Sequence, residues 1–269
     1  MAGPCALTIA GSDSGGNAGV QADLRTFHAY GVHGCTVFAA LTAQNPFSVA
    51  AIHDVPPAFV AAQLDAVLGV YSIRALKTGM LSSVAVVETV AERLSRHPGI
   101  RKVIDPVMIA TSGARLISPE ATDALTRLLL PQATLITPNL PEAAALAGET
   151  LDPSSRDADA DRAERLARML HGRFGCAVLV KGGHGVGGDS VDVLFDGASE
   201  HRFSMPRISN PVSTHGTGCS LAAALAAELA LGRDLLTAVA GAKAYVHEAI
   251  RTSYFVGDGC GVLGFAHRR

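Results

Sequence analysis

An excess of charge of either sign is missing from this chain: 22 basic side chains stand against 24 acidic ones, a formal charge of -2. A chain so balanced carries no electrostatic footprint for nucleic acid or for an anionic membrane surface, and neither partner is expected. Long hydrophobic runs are missing too. The most apolar stretch, residues 221–231, is too short to span a bilayer and contains Glu228. The first ten residues lack a basic region and hold only a short apolar run, so no signal peptide is expected there. Cysteine is sparse and scattered: Cys5, Cys35, Cys176, Cys219 and Cys260 are odd in number and include no CxxC pair. That argues against a disulfide framework or a CxxC metal site, and a reducing cytoplasm is the expected compartment. Lysine is scarce, four residues against eighteen arginines, so a lysine closing an apolar strand, as Lys181 does, stands out.

Several nucleotide and hydrolase signatures are absent as well. There is no GxxxxGK[ST] phosphate loop, no HExxH and no GxSxG. A GxGxxG match at Gly183, Gly185 and Gly188 follows the apolar run ending at Lys181. A dinucleotide site needs a helix to open there, to aim its amides at the pyrophosphate. Residues 189–195 alternate like a strand instead, so a flexible glycine loop near a ligand is the expected reading.

What is present is core-forming content: 48% hydrophobic against 17% charged residues over 269 positions. Apolar runs and amphipathic stretches alternate. Strands are expected at 6–10, 35–42, 75–78, 103–105, 134–136 and 176–181, with a hairpin-like pair, 191–195 and 201–205, about Gly197. Helices are expected at 17–30, 59–70, 83–97, 121–130, from Pro141, at 163–174, 218–231 and 234–250. In the 17–30 helix Val20, Leu24 and Phe27 form one stripe and Gly31 closes it; Ser83 suits an N-cap and Pro141 a first turn. Residues 152–161 are charged and polar, expected as a mobile surface loop rather than a domain boundary. This alternation implies a mostly parallel sheet with helices on both faces, in which ligands collect outside the carboxyl ends of the strands.

The strongest chemical signal is Thr214-His215-Gly216-Thr217-Gly218-Cys219-Ser220, which opens an alanine-rich helix. A helix start has unpaired N–H groups and partial positive charge, and glycines admit a ligand close to the backbone. Gly216, Thr217, Gly218 and Cys219 therefore form a candidate anion hole for a phosphoryl group in transfer. The same field favours the Cys219 thiolate, which could accept a proton from an attacking hydroxyl. Standing alone, such a turn would more simply be a glycine turn with a buried cysteine. Asp23 flanks the apolar stripe of its helix, where it is either a surface carboxylate or, with Gln44, a reader of a heterocycle's amines and ring nitrogens. Asp105 closes a strand and is placed to hold Mg²⁺ near phosphates. Asn139 and Glu142, three apart, could order metal-bound water, although Glu142 also fits a first-turn acid satisfying the helix dipole. Lys181 ends the strongest strand, where its ammonium could meet phosphate as a point charge.

Seven segments then occur in order: IAGSDSGGNAGVQADLRTF (Ile9–Phe27), LTAQN (Leu41–Asn45), KTGML (Lys77–Leu81), DPVM (Asp105–Met108), TPNLPEA (Thr137–Ala143), VKGGH (Val180–His184) and HGTGC (His215–Cys219). Together they closely resemble the hydroxymethylpyrimidine/phosphomethylpyrimidine kinases of thiamine biosynthesis, members of the ribokinase-like superfamily, over nearly the full chain. The resemblance implies one three-layer α/β/α domain across residues 1–269 with a mostly parallel central sheet. It implies a kinase that uses ATP and Mg²⁺ to phosphorylate 4-amino-5-hydroxymethyl-2-methylpyrimidine and then its monophosphate. Gly11, Asp23 and Gln44 would contact the pyrimidine, with Met80 and Val107 lining its pocket. Asn139, Lys181, Gly182 and Thr217 would lie at ATP, and Asp105 and Glu142 at the metal. Cys219 would stand where many relatives carry an aspartate base, and a homodimer is expected because relatives are commonly dimers.

Four departures from the family pattern are visible. Asn17 replaces a usual third glycine, Pro46 a usual threonine or serine, and Ser213 a usual histidine, while residues 257–265 lack the usual glycine- and histidine-rich ending. Asn17 and Pro46 border the implied substrate pocket, so they bear on substrate more than on reaction type. A pyridoxal kinase of the same superfamily is the alternative. A ligand-binding regulator without turnover is the third reading, against which the joint presence of Asp105, Lys181 and Cys219 speaks.

Overall fold

The computed structural model describes residues 3–108, 117–150, 159–183 and 188–265. Its centre is β1 (Cys5–Asp13), buried along nearly its whole length, as a strand covered on both faces must be. β1 pairs in parallel with β2 (His33–Asn45) on one side and with β4 (Ala75–Thr78) on the other. Parallel pairing continues through β5 (Arg101–Ile104), β6 (Leu135–Ile136) and β7 (Ala177–Val180). Antiparallel strands close both edges: β3 (Ser48–Asp54) outside β2, then β8 (Asp189–Phe195) and β9 (Glu200–Pro206) beyond β7. The order is β3-β2-β1-β4-β5-β6-β7-β8-β9, so the chain leaves β1 first to one side and later to the other. The crevice at the carboxyl ends of β1 and β4 is therefore the switch point where such sheets bind ligands.

Alternation of side chains builds two cores. Leu7, Ile9, Val37, Leu76, Ile104, Ile136 and Val178 face α2 (Pro57–Leu68), α3 (Val84–Ser95), α4 (Pro119–Ala124), α5 (Leu140–Ala147) and α6 (Asp159–Phe174). Ala6, Ala75, Val103, Leu135 and Ala177 face the opposite way, toward α1 (Gly19–Ala29), α7 (Thr217–Ala230) and α8 (Leu235–Arg251). Small residues on that sheet face and on α7 let the helix lie close to the strands, and every residue from Ser220 to Ala230 is buried. This is the expected three-layer architecture.

Several expectations need correction. β1 extends through Asp13, three residues beyond the expected 6–10 strand. β2 runs to Asn45 and turns into β3, an element that sequence periodicity does not show because β3 is exposed on both faces and lacks an apolar alternation. Gln44 thus lies within a strand rather than after one. In α1 the buried stripe contains Val20, Asp23 and Phe27, while Leu24 faces solvent. The expected 121–130 helix starts at Pro119, loosens to a π turn over Leu125–Leu129 and ends in a 3-10 turn at Leu130–Gln132, where Pro131 has no N–H to continue it. The end of the expected 152–161 loop is the first turn of α6; its residues 152–158 lie outside the described residues. Residues 184–187, within the glycine match, also lie outside them, but the following segment is β8, a strand as expected. A short antiparallel pair, β10 (Tyr254–Phe255) and β11 (Gly261–Val262), ends the described chain.

Candidate active site

α7 begins without a side-chain cap. Its N-cap, Gly216, has φ +87, and a Cβ there would fall 1.9 Å from the Asn17 carbonyl oxygen, so only glycine fits. Thr217 closes the entry, its amide and hydroxyl both donating to the Thr214 carbonyl. Among the described residues nothing accepts from the Gly218 and Cys219 amides. They are the two donors that the dipole of a buried helix offers an anion.

Two strand ends meet those donors. Asp105, 3% exposed just beyond β5, accepts from Lys181 Nζ at 2.8 Å and from the Thr137 hydroxyl at 3.0 Å, both on Oδ1. Its Oδ2 and Lys181 Nζ lie 3.9 and 3.6 Å from where a Gly218 side chain would begin. Burial disfavours the charged form of Lys181, but Asp105 and Glu142 outweigh it and hold the ammonium above the ordinary lysine value. Asn139 and Glu142 form a capping box on α5: the Asn139 amide donates to Glu142 Oε2 and the Glu142 amide to Asn139 Oδ1, each at 2.8 Å. Burial raises the Glu142 carboxyl, with Lys181 pulling it down and Asp105 pushing it up.

Behind this group lies an ion pair that sequence reasoning did not assign. Asp23 Oδ2 accepts from Lys77 Nζ at 2.8 Å and from the Thr8 hydroxyl at 2.6 Å, and both members of the pair are fully buried. The signal was available: Lys77 is one of four lysines and sits inside a short buried strand, β4, as unusual a place for a lysine as the strand end that singled out Lys181. Burial raises the Asp23 carboxyl, with Lys77 opposing. The pair also acts on Cys219. From its helix position alone that thiol is expected to drop toward thiolate; in the fold, burial pushes it up, Lys77 and the Gly19 N–H draw it down, and Asp23 and Asp105 push it up.

The β1–α1 loop is organised by Asp13, which receives the amides of Gly15, Asn17 and Ala18 at 2.8–2.9 Å. His215 Nε2 approaches the same carboxylate at 3.7 Å, bringing this loop beside the segment that opens α7. Burial works against the Asp13 charge, yet His215 and the three amides hold it below the ordinary aspartate value. Gly11 and Met80 are in contact, a Cβ on Gly11 being 2.7 Å from Met80 Cε. Val107 is half-buried two residues after Asp105. Gln44 lies further out on the β2–β3 hairpin, its backbone exchanging hydrogen bonds with the Ser14 hydroxyl. The Gly182 amide is already engaged by Asp192, which pairs with Lys243 at 2.8 Å. A cavity of ≈ 410 Å³ opens between Asn17, Arg25, Tyr254 and Phe265, but Asp105, Lys181 and Cys219 do not line it. The unpaired amides at Gly218 and Cys219 thus lie apart from that cavity, beside Lys181 and Asp105.

Residues 13–264 match the family model described as phosphomethylpyrimidine kinase. The hydroxymethylpyrimidine/phosphomethylpyrimidine kinase of Synechococcus elongatus is 48% identical over 265 residues, 98% of each chain. The thiamine biosynthesis bifunctional protein ThiED of Geobacter sulfurreducens is 48% identical over 95% of this chain, which spans only about half, 51%, of that longer protein. Among solved structures, the ADP complex of Bacillus subtilis pyridoxal kinase superposes with a TM-score of 0.87 at 34% identity, over 99% of this chain and 98% of that one. By sequence over nearly its whole length, and by its ribokinase-like fold, the chain belongs to the phosphomethylpyrimidine kinase family.

Proposed function

We propose that this protein is a single-domain kinase that transfers the γ-phosphoryl group of ATP to the hydroxymethyl oxygen of 4-amino-5-hydroxymethyl-2-methylpyrimidine, and then phosphorylates the monophosphate to the diphosphate. The observation that carries this reading is Gly218: at the start of an uncapped buried helix, its missing side chain leaves room beside Lys181 Nζ and Asp105 Oδ2. A bond forms between the acceptor oxygen and the γ-phosphorus, the bond to the bridging oxygen breaks, and ADP leaves. Charge on the equatorial oxygens is met by the Gly218 and Cys219 amides and by Lys181. The hydroxyl proton passes to Cys219 Sγ. Gly11, Met80 and Val107 line the acceptor side, Gln44 covers it from the hairpin, and Asp23 acts from behind through Lys77. Asn139, Gly182 and Thr217 border the nucleotide.

Asp105 and Glu142 suit Mg²⁺, being hard oxygen donors in a buried setting with Asp105 Oδ2 turned toward the anion hole. When bound, the ion supplies positive charge to the β- and γ-phosphates. A cytoplasmic homodimer completes the reading; β3, exposed on both faces, and the solvent-facing Leu41, Phe47 and Ile52 of this hairpin support pairing between two copies.

Likeness to a pyridoxal kinase over almost the entire chain supports a second reading, in which pyridoxal is the acceptor and the chemistry is unchanged. One assay separates them. Purified protein with Mg-ATP is offered the pyrimidine, its monophosphate and pyridoxal, and ADP release is followed. Turnover with both pyrimidines is expected. Turnover with pyridoxal alone would transfer the reading to that substrate, and binding without ADP release would make the protein a regulator.

A further inference from the structure

At the amino-terminal edge of the sheet, opposite the phosphoryl site, Cys5, His33 and Cys35 lie together. The parallel register sets Cys5 beside His33 and Leu7 beside Cys35. Residues two apart on a strand share a face, so all three side chains project from the same side. The Cys5 and Cys35 sulfurs are 3.7 Å apart, and both lie within 4.8 Å of a His33 ring nitrogen. The cysteines are 6% and 8% exposed while His33 reaches solvent, so the cluster is walled by core on one side and open through the imidazole on the other. Tyr71 stacks on the His33 ring at 5.6 Å and 16°, holding its orientation.

Two thiols and an imidazole are a soft ligand set of the kind zinc uses. With Zn–S bonds of about 2.3 Å at tetrahedral angles, two sulfurs stand roughly 3.7–3.8 Å apart. The observed separation is 3.7 Å before any ion enters. A disulfide fits less well. Cys5 and Cys35 are diagonal neighbours, about 4.8 Å across and about 6.6 Å along the strands, which puts their Cα atoms about 8 Å apart. Disulfides span about 4.4–6.8 Å, so bridging would require the central strands to shift.

We propose that Cys5, His33 and Cys35 form a site for a thiophilic divalent cation, Zn²⁺, with a fourth position open to solvent. Binding forms two Zn–S bonds and one Zn–N bond and releases the two thiol protons to water; no electron changes hands. The site clips the start of β1 to the start of β2. Asp13 lies eight residues along the same strand, about 26 Å away, so the clip is separate from phosphoryl transfer.

Co²⁺ titration of the full chain under anaerobic, reducing conditions tests this. One equivalent should produce the absorption of a tetrahedral cobalt thiolate, Zn²⁺ should bleach it, and Zn²⁺ should raise the thermal midpoint. Cys5→Ser and Cys35→Ser should each lose the band and the thermal shift while keeping kinase turnover, which reports that they fold. His33→Ala should weaken binding, and Cys260→Ser should retain the band. No band in the wild type, a band that survives Cys5→Ser or Cys35→Ser, or a Cys5–Cys35 disulfide that forms in place of metal uptake would overturn the proposal.

Discussion

Cys219 shows how burial and neighbouring charge compete at a single atom. Its thiol is held above the ordinary 9.0 by burial despite Lys77 and the Gly19 amide. A base must be deprotonated to accept a proton, so kcat should rise with pH as the medium approaches that raised value. Cys219→Ala should lower kcat by about 10²–10⁴-fold, the usual contribution of a positioned proton acceptor, with little change in KM for ATP. Cys219→Asp should move the rising limb of the pH profile to lower pH. An alanine variant with unchanged turnover would remove the sulfur from proton transfer. The Asp23–Lys77 pair makes a different demand. Neither group reaches water, so Lys77→Met leaves a carboxylate buried without its cation and should destabilise the fold by about 3–5 kcal/mol in urea unfolding. Adding Asp23→Leu should recover part of that loss, because an apolar pair carries no desolvation cost.

Helix and hairpin ends are where single residues control whole elements. In Gly216→Ala the new methyl meets the Asn17 carbonyl in a left-handed backbone position. The conformation alone costs about 1–2 kcal/mol. Relieving the clash should turn the Gly218 and Cys219 amides away from the proposed phosphate path, and kcat should fall by about 10²–10³-fold, as when oxyanion donors are lost. The β8–β9 turn offers a pH test. Asp196 accepts the Ser199 and Ala198 amides and hydrogen-bonds His201, which together lower its carboxyl to about 2. A depressed folded value means that the carboxylate stabilises the turn above the ordinary 3.8, and that this contribution fades as pH falls toward 2. NMR titration of the Asp196 carboxyl should show a midpoint near 2; a midpoint at the ordinary value would mean that the turn is not held by it.

At the scale of the molecule, one nine-stranded sheet runs between both cores, and α7 spans its centre, buried from Ser220 to Ala230. Calorimetry should therefore record one cooperative transition, whereas two separable transitions would divide the chain into independent units. The switch-point crevice follows from the same topology, since β1 neighbours both β2 and β4 and the loops after β1 and β4 must diverge there.

Most of the parallel strands and the helices were legible because buried strands read as apolar runs and core helices as stripes. Glycines at 216 and 218, with Asp105 and Lys181 at strand ends, were legible for the same reason: unusual residues at element boundaries leave a local signal. The exposed strand β3, the loosened π turn at Leu125–Leu129 and the buried role of Asp23 were not. Each depends on partners far along the chain: β3 on the edge of β2, Asp23 on a lysine 54 residues away. The thiol of Cys219 makes the same point, because its local helix field argues downward and its distant neighbours and burial decide upward. Sequence by itself determined the charge balance, which is composition, and the alternation of elements and the glycine frame, which are properties of neighbouring residues. Only the tertiary structure decided that Cys5 faces Cys35 and that Lys181 and Asp105 meet at Gly218, because strand register and sheet order join residues that no local pattern links.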